Sequence, residues 1–260
     1  MAVLRSDYVA AQPSATPSRG QSRRLPAWRP WGALISRVAL FAGWQALFAL
    51  GFAVSGSSHP WSDSAAWWLI TAALANFTSL GLLAWLSRRE GGRLVSLFNL
   101  NRKTWRRDLL WLVGAVAVMA PLGFLPSLLL APPLFGDPEA VARIMFQPLP
   151  LWAVVTAGFA FPLSIALSEL PTYYGYVMPR LKALTGLGWP VILIVATAHA
   201  FQHVALPLVF DGSFVVYRFG MFLPFAIFIA WLVNRRPSLL PYLMVVHGLL
   251  DAQLIFQIPH

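Results

Sequence analysis

The chain has 260 residues, 58% of them hydrophobic and 11% charged, with a formal net charge of +10 and no cysteine. So apolar a composition, with a mean hydropathy of +0.66, excludes a soluble globular fold and describes a polytopic membrane protein. The lack of cysteine also excludes disulfides, thiolate metal sites and a cysteine nucleophile.

In chain order, residues 1–32 are rich in Ser, Pro, Arg and Gln and lack an apolar run, which predicts a disordered basic tail ahead of a single transmembrane domain over 33–260. Apolar stretches then predict spans at Ala33–Val54, Ala65–Leu86, Leu109–Leu130, Leu151–Tyr176, Trp189–Leu206, Val216–Val233 and Leu239–Phe256. The expected fold is therefore an all-α, polytopic transmembrane helical bundle of about seven spans, within six to eight by length. Between the second and third spans, Arg93–Leu100 alternates at near-helical spacing and reads either as an interfacial segment or as a plain loop. Pro132, Pro133, Gly136 and Pro138 mark a loop before the fourth span.

Sixteen of the nineteen Lys and Arg residues fall in the N-terminal tail or on alternate loops: Arg88 to Arg107, Arg180 with Lys182, and Arg235 with Arg236. The exceptions are Arg37, placed near an end of the first span, Arg143 and Arg218. The positive-inside rule assigns those loops and the N-terminus to the cytoplasm of a cell membrane, so the basic excess reports topology and lipid contact, not nucleic acid.

Ionisable groups inside apolar spans are costly and point to function, and five of them recur in three segments. In Ser168-Glu169-Leu170-Pro171-Thr172-Tyr173-Tyr174-Gly175-Tyr176, Glu169 is either a general base for water or a structural partner between helices. In Ala198-His199-Ala200-Phe201-Gln202-His203, two imidazoles four apart share a helix face; His199 reads as structural and His203 as the catalytic candidate. His247 and Asp251 repeat that spacing, with Asp251 facing the same cavity or orienting an imidazole. His59 and His260 fall in loops or at the chain end and are assigned no role.

Together these three segments, over about 151–256, resemble the CPBP family of CAAX proteases and bacteriocin-processing enzymes, also called the ABI family. That family's first motif, E-E-x-x-x-R-G-Y followed by P-R-L, is matched by Glu169, Gly175, Tyr176 and Pro179-Arg180-Leu181, while Leu170 and Tyr174 stand where it has the second Glu and the Arg. The second motif's histidine is met best by His203, and the third, H-x-x-x-N/D, by His247 and Asp251. The resemblance implies an intramembrane endopeptidase in which Glu169 and His203 activate a water, and His247 with Asp251 stabilises the oxyanion. Tyr173, Tyr174 and His199 would support them. Its partners would be membrane lipid and a peptide or lipid-modified, CAAX-type protein, cleaved near the cytoplasmic leaflet.

Cofactor chemistry stays open at this stage. His199, His203 and His247 form a set that can ligate zinc, whereas a metal-free glutamate mechanism uses the same groups. Two other classes stand beside the protease: a catalytically inactive relative acting as a membrane binding or scaffold protein, and a weaker proton-coupled transporter. Rise along straight helices puts Glu169 about 16 Å, His203 about 25 Å, His247 about 13 Å and Asp251 about 19 Å from the cytoplasmic ends, a spread that upright helices do not reconcile.

Overall fold

The computed structural model describes residues 26–99, 101–137 and 139–259. Most of the expected tail lies outside these residues, as do Leu100, Pro138 and His260. The described chain is an all-α bundle: α1 (Trp28–Val54), α2 (Pro60–Ala66), α3 (Trp68–Arg89), α4 (Trp105–Phe135), α5 (Ala140–Met145), α6 (Leu151–Leu170), α7 (Met178–Thr185), α8 (Trp189–Gln202), α9 (Gly212–Arg235) and α10 (Leu240–Ala252).

Six helical stretches are long and apolar enough to cross a membrane, namely α1, α3, α4, α6 continued through α7, α9, and α10 with its flanking turns. The protein is an integral membrane bundle. The remaining expected span, α8, has 14 residues. At 1.5 Å per residue it is about 21 Å long, short of the roughly 30 Å hydrocarbon core. Beyond Gln202 the chain turns back through His203–Leu206 before α9 starts, with Asp211 capping the Phe214 N–H at 2.7 Å.

Several boundaries differ from the sequence expectation. α1 starts at Trp28, so residues 28–32 of the expected tail form its first turns. α4 runs through Pro132 and Pro133 to Phe135 and stops at Gly136 in the left-handed region (φ 68°). Of the segment after α3, Leu94–Phe98 forms a 3₁₀ turn whose Leu97 packs into the core against Tyr173 and Tyr176.

Between α6 and α7 the backbone widens into a π-helical stretch, Pro171–Val177, and all seven of its residues are buried. Such widenings redirect side chains within an otherwise continuous helix and recur at functional sites. Here the stretch carries Tyr173, Tyr174 and Tyr176 inward, and an ideal Cβ on Gly175 would lie 2.6 Å from the Leu97 carbonyl oxygen, so only glycine fits beneath the 3₁₀ turn.

Buried apolar residues form two clusters, one toward each end of the bundle. Ala33, Leu83, Leu86, Tyr174, Val195, Ile229 and Leu243 belong to the first. Phe41, Trp68, Ala72, Phe161, Ile165, Leu206 and Phe214 belong to the second. On five helices the changeover falls at polar residues: Arg37 on α1, Asn76 and Ser79 on α3, Ser168 and Glu169 on α6, His199 and Gln202 on α8, Arg218 on α9. A sheet of buried polar side chains therefore divides the apolar core across its width.

Candidate functional site

Glu169 lies at the centre of this polar layer, fully buried. From α6 it meets His199 of α8 and His247 of α10, with Asp251 of α10 beside His247. His199 Nε2–H donates to Glu169 Oε1 at 2.9 Å. His247 Nε2 approaches the same oxygen at 3.0 Å and Asp251 Oδ2 at 3.3 Å, in ion-pair range of both but without hydrogen-bond alignment to either. Gly248 makes this approach possible. An ideal Cβ there would lie 2.9 Å from Ala166 Cβ and 3.1 Å from the Pro162 carbonyl, so any side chain would push α10 away from α6.

The other carboxylate oxygen faces a group that sequence reasoning left aside. Arg37 Nη2 lies 3.5 Å from Glu169 Oε2, and the guanidinium is fixed along its other edges: Nε–H donates to Gln202 Oε1 (2.5 Å), Nη1–H to Ser168 Oγ (3.0 Å) and Nη2–H to Asn76 Oδ1 (2.8 Å). Asn76 passes the chain on to Ser164 Oγ at 3.2 Å. The expectation placed Arg37 near a span end because the span was begun at Ala33; with α1 starting at Trp28, Arg37 is about 14 Å along the helix, at membrane depth. The signal was present, since an arginine inside an apolar helix obeys the same rule that singled out Glu169.

His199 is satisfied in both of its charge states. In the neutral ring the Tyr174 hydroxyl donates to Nδ1 at 2.6 Å; in the imidazolium, Nδ1–H donates to the Tyr174 oxygen, whose own proton turns to the Ala226 carbonyl at 3.2 Å. The ring can hold a proton without stranding a partner. Tyr173 stacks on it, with ring centroids 5.1 Å apart and a 26° interplanar angle. Five buried atoms of the site keep unused hydrogen-bonding capacity among the described residues: Glu169 Oε2, Tyr173 Oη, Gln202 Nε2, His247 Nε2 and Asp251 Oδ2.

His203, the expected partner of Glu169, sits one turn further on. Its Nδ1–H donates to the His199 carbonyl at 3.1 Å, and its ring stacks on Phe222 at 3.6 Å. It is His199 that touches the carboxylate. His203 instead lines, with His247, Asp251 and Arg218, a cavity of about 360 Å³ otherwise walled by Trp68, Met145, Phe161, Leu206 and Phe222. Glu169 is not in that wall; His203 and His247 stand at the end where the cavity meets the polar layer. All five ionisable groups singled out in the sequence thus belong to one constellation.

Glu169, His199 and His203 place one ligand atom each within 4.8 Å of the others, a spacing that invites comparison with a metal site. Two ligands bound to one zinc at about 2.0–2.1 Å in tetrahedral geometry stand roughly 3.4 Å apart. The 2.9 Å between His199 Nε2 and Glu169 Oε1 is instead that of a shared proton, and Arg37 adds positive charge beside the same carboxylate. As arranged, the set forms a hydrogen-bonded acid–imidazole centre.

Fold and site together define a polytopic helical membrane protein with an acid–imidazole centre buried at mid-depth. Compared with family models, curated proteins and solved structures, the chain finds no match.

Proposed function

We propose that the protein is an intramembrane endopeptidase of CPBP type, using Glu169 to activate a water against a peptide bond. The observation that carries this reading is the convergence of Glu169, His199 and His247, from three distant segments, within 3.0 Å contacts beside a cavity. Glu169 takes the water proton, and the hydroxide adds to the scissile carbonyl carbon. His247, at the cavity end, offers an N–H to the resulting oxyanion, with the Asp251 carboxylate 3.3 Å from its Nε2. When the tetrahedral intermediate collapses, the C–N bond breaks and the leaving amine takes the proton back from Glu169. General-base assistance of this kind is worth about 10²–10⁴-fold.

The two departures from the family's first motif bear on this reading differently. Tyr174, in place of arginine, hydrogen-bonds His199, while the guanidinium beside the carboxylate comes from Arg37 on another helix. Leu170 packs in the apolar core and brings no second acid. In this reading His199, not His203, is the imidazole partner of Glu169, and membrane lipid with a membrane-associated peptide or lipid-modified protein are the partners.

Orientation in a cell membrane follows from the positive-inside rule, with the end bearing Arg88, Arg93, Lys103, Arg107 and Arg235 in the cytoplasm. The cavity wall is built from α5, the start of α9 and the end of α10, at the opposite end of the bundle, so the substrate is met from the outer side and not at the cytoplasmic leaflet. The decisive assay reconstitutes the protein with membrane peptides and reads new termini by mass spectrometry. Cleavage by wild type that is lost in Glu169→Gln supports the proposal; equal cleavage by both refutes it.

One observation favours a second, non-catalytic reading as a binding or scaffold protein: Glu169 stands behind the cavity wall and is held on both sides, as a buried structural ion pair would be. That reading expects Glu169→Gln to lower the melting temperature while no peptide is cut by either protein. A metal-assisted reaction is separated from both by chelator treatment, which would remove activity only if an ion is required.

A further inference from the structure

Arg218 is 4% exposed, and no carboxylate lies within ion-pair distance of it among the described residues. Its guanidinium is clamped at the turn after α8: Nε–H donates to the His203 carbonyl at 3.1 Å and Nη2–H to the Leu206 carbonyl at 2.7 Å. The plane lies against Phe222, 5.1 Å from the ring centroid, and Phe222 also carries the His203 ring on its face. Those contacts use two of the three nitrogens. Nη1 has no protein acceptor among the described residues, and the side chain lines the 360 Å³ cavity.

A helix terminus needs a donor for its last carbonyls, but a neutral donor would serve, and a guanidinium in an apolar wall is costly unless a negative group answers it. Asp251 lines the same cavity but leans on His247 at 3.3 Å. The rest of the wall near Arg218 is Trp68, Val141, Met145, Leu206 and Phe222, surface for an apolar chain. A guanidinium fork held rigid on two edges and open on the third is suited to a carboxylate, whose planar oxygens match it.

We propose that Arg218 anchors a carboxylate carried on an apolar chain, with the chain along the aromatic wall and the far end toward His247. This deepens the hydrolase reading, since it names the group by which a substrate would be held in that cavity, but it concerns binding alone. Two sources have this chemistry, the free C-terminus of an apolar peptide and a long-chain fatty acid.

The test is equilibrium binding to the full chain in nanodiscs, carried out on Glu169→Gln protein so that no cleavage intervenes. The probes are an acetylated apolar hexapeptide with a free C-terminal carboxylate, the same peptide as its C-terminal amide, and oleate. The acid peptide or oleate should bind at least tenfold more tightly than the amide, and Arg218→Gln should abolish that difference. Arg218→Lys should retain part of it, because charge survives while the fork is lost. Preference for the acid peptide assigns the peptide source, and tight oleate binding that the peptide does not displace assigns the lipid source. The comparison of acid and amide needs no substitution at 218, so a folding defect in the variants cannot mask the result. Equal binding of acid and amide together with no oleate binding overturns the proposal, as does a preference that survives Arg218→Gln in folded protein. Loss of peptide cleavage elsewhere would leave this outcome untouched.

Discussion

Arg37 lies 3.5 Å from Glu169, and both side chains are at most 1% exposed. Removing the cation alone leaves a buried carboxylate together with the orphaned acceptors of Gln202, Asn76 and Ser168. Breaking a buried pair in this one-sided way costs about 3–5 kcal/mol. Arg37→Ala should therefore lower the thermal midpoint in detergent by many degrees, whereas Glu169→Gln, which keeps the shape and one donor–acceptor pair, should stay folded and lose hydrolysis by about 10² or more. Melting curves and termini-resolved cleavage separate the two. Residue types were the legible part of the site: Glu169, His199, His203, His247 and Asp251 stand out in the sequence because charge in an apolar run is rare. Which histidine meets the acid was not legible, since His199 and His203 share a helix face and the choice depends on helix rotation and on where α8 ends. Arg37 was missed for a related reason, a span boundary misplaced by five residues.

At the scale of elements, two glycines decide how closely backbones approach. Gly248→Ala should separate α10 from α6 and draw His247 off Glu169, so activity should fall by more than tenfold. Gly175→Ala meets backbone at 2.6 Å instead, which no rotamer change relieves, and a destabilisation of about 1–3 kcal/mol is expected from denaturant or thermal unfolding. The long apolar helices and their order followed from apolar runs because a bilayer demands about 20 residues per crossing. The depth arithmetic did not close because it assumed straight, full-length helices. α8 ends after 14 residues, and the Pro171–Val177 stretch has a wider π-helical turn, so both rise and rotation depart from 1.5 Å and 100° per residue there. Neither departure has a marker in the hydropathy pattern.

Across the whole molecule the two ends differ in charge. One carries the arginine-rich loops; the other carries Asp63, Asp137, Glu139 and Asp211 with Arg143, which pairs with Asp137 and lies 3.7 Å from Glu139. The Arg143 hydrogen bond and the Glu139 backbone N–H hold the Asp137 carboxyl below its ordinary range. The cavity belongs to this acidic end. Because the chain has no cysteine, single introductions report topology cleanly. Ala142→Cys on α5, exposed and in the cavity wall, should react with a membrane-impermeant maleimide added to intact cells, and Lys103→Cys only after the cells are opened; the reverse pattern would invert the proposed orientation.

The position of Arg37 also bears on how the protein is made. Polypeptide leaves the ribosome from its N-terminus, so α1 meets lipid with an arginine about 14 Å along it long before the segment bearing Glu169 has been synthesised. A lone arginine at a helix centre costs about 2.5–3.5 kcal/mol on translocon scales, which the surrounding Leu, Phe and Ala residues of α1 can outweigh but not cancel. α1 is thus made before the helix that seats its arginine, and its final place in the bundle waits for α6.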